Sequence, residues 1–393
     1  MENITELCTG CTACVHVCPV KCIAMKTDEE GYLYARIDQT KCINCGTCVR
    51  TCPQNNKAKC VNGAPKRVLV IRTKNDNLLR ESASGGVFAT LAKATIENGG
   101  IVYGAAYDRD LVVKHIAVDN IKDLWKLQNS KYVQSSIGDV FPIVKDQLKN
   151  GRVVLFSGTP CQVAGLKRYL RKDYPNLLTA DIVCHGVPSQ VLFHKYIDWI
   201  SQKLNMQIGK VNFRDKADGW GLTLAFSPKS AGKKIDVIGP TDPYYENFLR
   251  GNFHRPCCYD CHYTSMYRPA DITMGDFWGV EQEHRKCFSY KGVSLLMLNN
   301  EHALEFFDKY KDLFIFDEST FEKAARKNGN LRHPSTKGPL RNEVYKKMRE
   351  LSPDEFFGSY LAVQQSIKSK IKTLLPSKVR LMIKMAKTWF CKL

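Results

Sequence analysis

Eight cysteines in two matching runs constrain this chain more than any other feature. Cys8, Cys11, Cys14 and Cys18 lead into Pro19 as C-x2-C-x2-C-x3-C-P, and Cys42, Cys45, Cys48 and Cys52 lead into Pro53 with the same spacing. Three thiolates two residues apart wrap one face of an iron–sulfur cubane, while the fourth lies too far along and reaches the neighbouring cluster. The spacing therefore predicts one 4Fe-4S cluster on Cys8, Cys11, Cys14 and Cys52 and another on Cys42, Cys45, Cys48 and Cys18. Zinc fits poorly, because zinc sites pair two short Cys or His hairpins rather than two runs of four cysteines. Cys22 and Cys60 fall outside the pattern and read as ordinary buried or surface thiols.

Between the runs, Tyr32, Tyr34 and Ile37 around Gly31 read as a short hairpin. The core of such a segment is small, so its clusters supply much of its folding energy. Asn62-Gly63-Ala64-Pro65 reads as a linker. Residues 1–62 are thus expected to form an α+β ferredoxin-like domain, and its deletion is expected to spare the chemistry of a second domain.

The whole chain has 393 residues, 44% of them apolar, enough for a second buried core. Its 17 cysteines sit in short repeated spacings behind an acidic and polar N-terminus that reads as no secretion signal. That combination points to metal ligation in a reducing compartment, so the expected location is cytoplasmic. No apolar run approaches the roughly 18 residues that a spanning helix needs. The net charge of +19 favours an acidic partner, whether a phosphorylated cofactor, an acidic protein or an anionic membrane. Nucleic acid is not expected, since no recognition helix or RNA-binding signature is present.

After the linker, apolar strands alternate with helices. Arg67–Ile71, Ile101–Tyr107, Val153–Ser157 and Leu177–Val183 read as strands; Val87–Glu97, Val140–Lys149, the segment after Cys161 and Gln190–Leu204 read as helices. This alternation predicts an α/β domain over 63–345, and the short strands over 208–238 predict a mixed sheet. Cys161 follows a strand and opens a helix, and Cys184 ends the next strand, at the sheet edge where ligands bind. With Cys258 and Cys261 of a Cys-x2-Cys pair they make four thiolates. The spacing alone leaves a third cluster, zinc and plain buried thiols all open.

From about residue 68 to 280 the chain resembles the family of coenzyme F420 hydrogenase/dehydrogenase beta subunits. The segments that carry the likeness are SASGGVF (82–88), NSKYVQS (129–135), FSGTPCQVAGL (156–166), DIVCHGVPS (181–189), FRDK (213–216) with GWG (219–221), RPCCYDCHY (255–263) and ADITMGDFWG (270–279). The resemblance implies a flavin-binding domain that carries FAD and a 4Fe-4S cluster on Cys161, Cys184, Cys258 and Cys261, with Cys257 as a competing ligand. For the flavin, Ser84, Gly85 and Gly86 at a helix start offer backbone N–H groups to a pyrophosphate. Lys131 and Tyr132 offer charge and stacking, Thr159 caps the Cys161 helix and faces the cofactor, and Asp276 orients the flavin or ribose. His185, beside Cys184, is the candidate proton donor to a substrate or donor to a cluster sulfur. Arg214, Asp215 and Lys216 are candidates for an acidic substrate.

A flavin beside iron–sulfur clusters converts electron pairs to single electrons. Three functions fit: a reductase of a small organic substrate fed by a ferredoxin-like protein, a deazaflavin or NAD(P)H dehydrogenase, and a non-catalytic electron-transfer subunit of a larger complex. Residues 346–393 read as a basic tail. From Ser366 onward it holds eight Lys or Arg and no acid, and after Pro376 the residues Val379, Met382, Ile383, Ala386, Trp389, Phe390 and Leu393 form one apolar helical face. Two readings stay open for that face: peripheral contact with the inner surface of a membrane, or packing on the second domain.

Overall fold

The computed structural model describes Thr5 and residues 7–56, 61–364, 371 and 373–390; Cys60 and Leu393 lie outside them. In the cysteine-rich segment, β1 (Ile23–Thr27) and β2 (Leu33–Ile37) pair antiparallel, the hairpin expected around Gly31. The two cysteine runs continue into short helices, Ala13–His16 and Thr47–Thr51. Cys14, Cys22, Cys48 and Cys52 are buried together with Ile23 and Ala35, so sulfur supplies much of this small core.

Beyond it lies one eight-stranded sheet, ordered β13-β3-β12-β11-β7-β6-β4-β5. These are β3 (Arg67–Thr73), β4 (Ile101–Tyr107), β5 (Val113–Val118), β6 (Val154–Gly158), β7 (Leu177–Ile182), β11 (Ile272–Asp276), β12 (Ser294–Leu298) and β13 (Phe314–Glu318). The four central strands β4, β6, β7 and β11 run parallel, and the flanking strands pair antiparallel. Side chains alternate across the sheet as a pleated strand requires. On β6, Val154 and Phe156 face the Val140–Lys149 and Pro160–Leu170 helices, while Leu155 faces the Val87–Glu97 helix. Burial on both faces explains the near-continuous apolar runs of these strands.

The short strands β8 (Ile208–Asp215), β9 (Thr223–Pro228) and β10 (Ile235–Ile238) form a separate antiparallel sheet. The main sheet is mixed because of β3, β5, β12 and β13, and not because of these strands as the sequence suggested. The helix that begins at Pro160 and carries Cys161 stops at Leu170, with Arg171 at φ 61.

Two boundaries drawn from the sequence are not breaks in the structure. Residues 346–361, read as the start of a tail, place Met348, Phe356, Phe357 and Leu361 in the same core as Trp199, Phe226 and Tyr244. The cysteine-rich segment is equally embedded. Tyr32 is 1% exposed and donates to the Phe253 carbonyl at 2.6 Å, with Tyr345 Oη 2.7 Å away. Cys11 and Ala13 join the core of Phe141, Phe156 and Leu166. Arg341 pairs with Glu30 at 2.5 Å.

Candidate redox site

The structure brings each predicted cysteine set together. Burial pushes the Cys11 thiol up to about 12, and Cys8 and Cys52 add to it. Cys14 rises for the same reason, with Cys11, Cys8 and Cys52 as its charged neighbours. In the other set, Cys18, Cys42, Cys45 and Cys48 line one hollow. Burial raises Cys48, and Cys45 and Cys18 add to the effect. Such thiols stay protonated until a cation draws the proton off, which is the linkage expected of metal-ligand cysteines. Among the described residues, no three or more His, Cys, Asp or Glu side chains form a group for a lone metal ion.

Cys161 occupies the first turn of the Pro160–Leu170 helix, after β6. Thr159 caps that helix as expected, and Gln162, which the sequence reading did not single out, completes the cap, with Thr159 N–H donating to Gln162 Oε1 at 2.9 Å. The Thr159 hydroxyl also lies 3.1 Å from Cys161 Sγ. Burial drives the Cys161 thiol well above its ordinary range, and Cys257, Cys184 and Cys261 add to this. Cys258 is raised by its hydrogen bond to Cys257, by burial, and by Cys184 and Cys161. Five cysteines therefore converge: the four expected ones and Cys257.

Four of them, Cys161, Cys184, Cys257 and Cys258, line a cavity of about 730 Å³ at the carboxyl ends of β6, β7 and β11. The cavity is also lined by Ser84, Gly86, Lys131, Tyr132, Thr159, His185 and Asp276. Gly86 takes φ +78 and opens the Val87–Glu97 helix without a side-chain cap, so first-turn amides face the cavity unspent. Gly85 does something different. A Cβ there would lie 2.6 Å from the Ile71 carbonyl, and its N–H donates to Ser294 Oγ at 2.8 Å, so it seats the turn on the sheet.

The remaining candidates are engaged as follows. Lys131 Nζ donates to the carbonyls of Gln128 and Lys126 at 2.7 and 3.0 Å, and burial, with Lys210 adding, pushes it down to about 7. Tyr132 stacks on Phe248 at 4.4 Å. Asp276 accepts from Arg214 at 2.6 and 2.9 Å and from Trp220 Nε1 at 2.7 Å. Its carboxylate is therefore neither solvated nor open, and it clamps Arg214 to the cavity wall. Asp215 pairs with Lys234 at 2.8 Å, and Lys216 donates to the carbonyls of Leu79 and Ser84. His185 Nε2 lies 3.0 Å from the Leu249 carbonyl and Nδ1 lies 2.8 Å from Asn330 Oδ1.

Two arginines that the sequence motifs did not single out organise the site. Arg268 is 1% exposed and pairs with fully buried Asp181 at 3.0 Å, at the end of β7. It also donates to the carbonyls of Ile182 and Tyr263, which ties the Cys184 loop to the Cys258–Cys261 loop. Arg255 is fully buried and donates to the carbonyls of Cys8 at 2.6 Å and Leu33 at 2.8 Å and to Gln134 Oε1 at 2.9 Å. It thus joins the first cysteine run to the Cys257–Cys261 loop. The available signal was its place in RPCCYDC, where an arginine beside thiolates has an electrostatic reason to be buried.

Both parts of the chain have known relatives. Residues 7–56 match the 4Fe-4S dicluster domain, and residues 151–323 match the family described as the C terminus of the coenzyme F420 hydrogenase/dehydrogenase beta subunit. The chain is 24% identical over 330 residues to the F subunit of F(420)H(2) dehydrogenase in Methanosarcina mazei, covering 78% of this chain and 83% of that one. Over 52 residues it is 46% identical to the 7Fe ferredoxin of Hydrogenibacillus schlegelii, covering 13% of this chain and 60% of that one. A chain of the F420-reducing [NiFe] hydrogenase complex from Methanosarcina barkeri superposes with TM-score 0.47 at 17% identity, covering 74% of this chain and 94% of that one. The chain thus joins a 4Fe-4S dicluster domain at its N-terminus to a segment that matches the C terminus of the coenzyme F420 hydrogenase/dehydrogenase beta subunit.

Proposed function

We propose that the chain is an iron–sulfur flavoprotein that moves electrons between its N-terminal clusters and a FAD in the large cavity, and so reduces a small organic substrate with electrons from a ferredoxin-like protein. The observation that carries this reading is the order of the cysteine sets. Cys45 of the second quartet is exposed at the surface. Cys11 of the first quartet lies against Gly165, where a Cβ would approach its Sγ to 2.9 Å, and Gly165 is one helical turn from Cys161. Arg255 bridges Cys8 and the Cys257 loop, and the cavity opens behind. Three sets thus run from surface to cavity, with Cys161, Cys184, Cys258 and Cys261 holding the third cluster.

When bound, the flavin would exchange either a hydride, which is an electron pair with a proton, or single electrons, while the clusters carry single electrons. The chain's own residues position it. A cavity of about 730 Å³ is within the usual range for ligand sites. The open helix start at Gly86, with Ser84, suits a pyrophosphate. Thr159 and Lys131 face the same space, and the Asp276–Arg214 clamp keeps a cation in the wall. His185 lines the same cavity, but its two ring nitrogens meet the Leu249 carbonyl and Asn330, so a role as proton donor to a substrate requires one of these contacts to open.

Acid release from anaerobically purified protein is expected to yield about one FAD per chain, identified by mass spectrometry; protein that stays flavin-free after incubation with FAD refutes this reading. Lys131 adds a pH signature. In the free protein it loses its proton near 7, and an adjacent pyrophosphate restores the charge. FAD binding then takes up a proton and weakens as pH rises from about 7 towards 9. In Lys131→Met that pH dependence is expected to disappear.

A second reading, a subunit that relays electrons without its own substrate, is favoured by the name of the Methanosarcina mazei relative, which is a dehydrogenase subunit. Co-purification with a stoichiometric partner and no turnover alone would support it. Of location, no described helix is long and apolar enough to cross a membrane; we place the chain in the cytoplasm, in peripheral contact with the inner membrane face.

A further inference from the structure

The helix predicted after Pro376 is present as Ser377–Phe390, but it is turned against the usual rule for an amphipathic helix. Its charged side faces the protein. Arg380 is 7% exposed, with Nε 3.0 Å from Asp218 Oδ2 and Nη2 3.1 Å from Asp236 Oδ2. Lys384 reaches Asp218 at 3.3 Å, Lys387 reaches Glu281 at 3.2 Å, and the Thr388 hydroxyl accepts from Tyr290 N–H at 2.9 Å. These contacts set the rotation of the helix, because turning it over would take Arg380 and Lys384 away from buried Asp218 and leave its charge with no cation.

The apolar side is left outward. Met382, Ile383, Trp389 and Phe390 are 67, 57, 60 and 62% exposed, and Leu374 just before the helix is 83% exposed. A contiguous apolar surface on a charged protein marks an interaction site. Three of the eight basic residues after Ser366 are spent on the inward contacts. The other five are Lys378 in the first turn and Lys368, Lys370, Lys372 and Lys392, which lie outside the described residues; the sequence from Ser366 to Leu393 holds no acid to offset them.

We infer that the outer face of the Ser377–Phe390 helix is a docking surface for an anionic lipid membrane, presented by an inward clasp of Arg380, Lys384 and Lys387. An apolar face with aromatic side chains and a surplus of lysine matches the headgroup boundary, where rings sit at the interface and ammonium groups meet anionic lipid. The inference rests on the proposed location at the inner membrane face and is independent of the redox reading, so its test uses no turnover. The clasp residue Asp218 is two residues from Trp220, which holds Asp276 at the cavity wall, so the docking helix is braced directly against the candidate site.

The test floats the full-length holoprotein with phosphatidylcholine vesicles, with and without phosphatidylglycerol. Wild type is expected to float with the anionic vesicles and at least about tenfold less with the neutral ones. Met382→Glu with Trp389→Glu is expected to lose anionic flotation while its thermal unfolding and sedimentation stay unchanged, since both side chains are exposed. On wild type, brominated lipid is expected to quench tryptophan fluorescence, and Trp389→Phe to remove that quenching while still floating. Wild type that ignores anionic vesicles, or quenching that persists in Trp389→Phe, overturns the inference. A concentration-dependent dimer that the double variant abolishes assigns the face to a second copy of the chain instead. Should the double variant unfold, the quenching pair decides the matter alone.

Discussion

Replacing Cys161 with serine is expected to lower the iron content from about twelve to about eight per chain and to leave the two N-terminal clusters in place. The reason is positional. Cys161 is held by a capped helix start between Cys184 and Cys261, and no spare thiol replaces it from the same helix. Cys257 is already at the site, but it belongs to the Cys258 loop and shares a hydrogen bond with Cys258. Loss of a ligand exceeds the roughly 10–100-fold effect of altering a neighbour of a ligand, so electron exchange between the N-terminal clusters and the cavity is expected to fall by more than about 100-fold. Flavin reduction by a hydride donor should continue, because the Gly86 helix start and the Lys131 loop are untouched. Iron and sulfide assays with stopped-flow flavin spectra check both halves. A wild type holding about eight irons, or a variant with unchanged iron, removes the third cluster from the proposal.

Deleting residues 1–62 is expected to leave no soluble folded chain, which reverses the expectation drawn from the linker-like Asn62–Pro65. The deletion strips two of the three acceptors from fully buried Arg255, the Cys8 and Leu33 carbonyls, and takes the Thr9 carbonyl from Gln134, which is the third. It also empties the position of Tyr32 and uncovers the Phe141, Phe156 and Leu166 core beneath Cys11 and Ala13. Breaking a buried charge's pairing costs up to about 3–5 kcal/mol, and loss of one large aromatic from a core costs about the same. Together these match the whole stability of an ordinary domain, about 5–15 kcal/mol. The clean way to separate electron delivery from the chemistry of the cavity is Cys45→Ser, which alters only the exposed cluster. That variant is expected to keep its fold by circular dichroism and its hydride-driven flavin reduction, and to lose ferredoxin-driven turnover. A soluble 63–393 fragment with a native thermal transition would show that the interface contributes far less than its contacts suggest.

What the sequence determined by itself was the chemistry that depends on local spacing. Thiolates two residues apart restrict what a short loop can bind, so the two N-terminal quartets were legible, as were the Thr159 cap and the Val87–Glu97 and Val140–Lys149 helices, whose periods and end residues are local. The family segments announced that Cys161, Cys184, Cys258 and Cys261 belong together, although no local spacing joins them. Only the tertiary structure decided the features that depend on partners far along the chain. Asp276 was expected to orient the flavin or ribose, and only the structure shows that Arg214 and Trp220 occupy its carboxylate. Gly85 looked like a phosphate donor until the approach of β3 and β12 was seen to require it. The apolar stripe of the last helix was legible, but its direction was not, because Asp218 and Asp236 lie more than a hundred residues upstream and draw Arg380 inward. The same holds for Arg255, whose acceptors in the first cysteine run and at Gln134 turn two sequence segments into one folded body: burial of a charge is set by where its partners end up in space, and spacing along the chain carries no record of that.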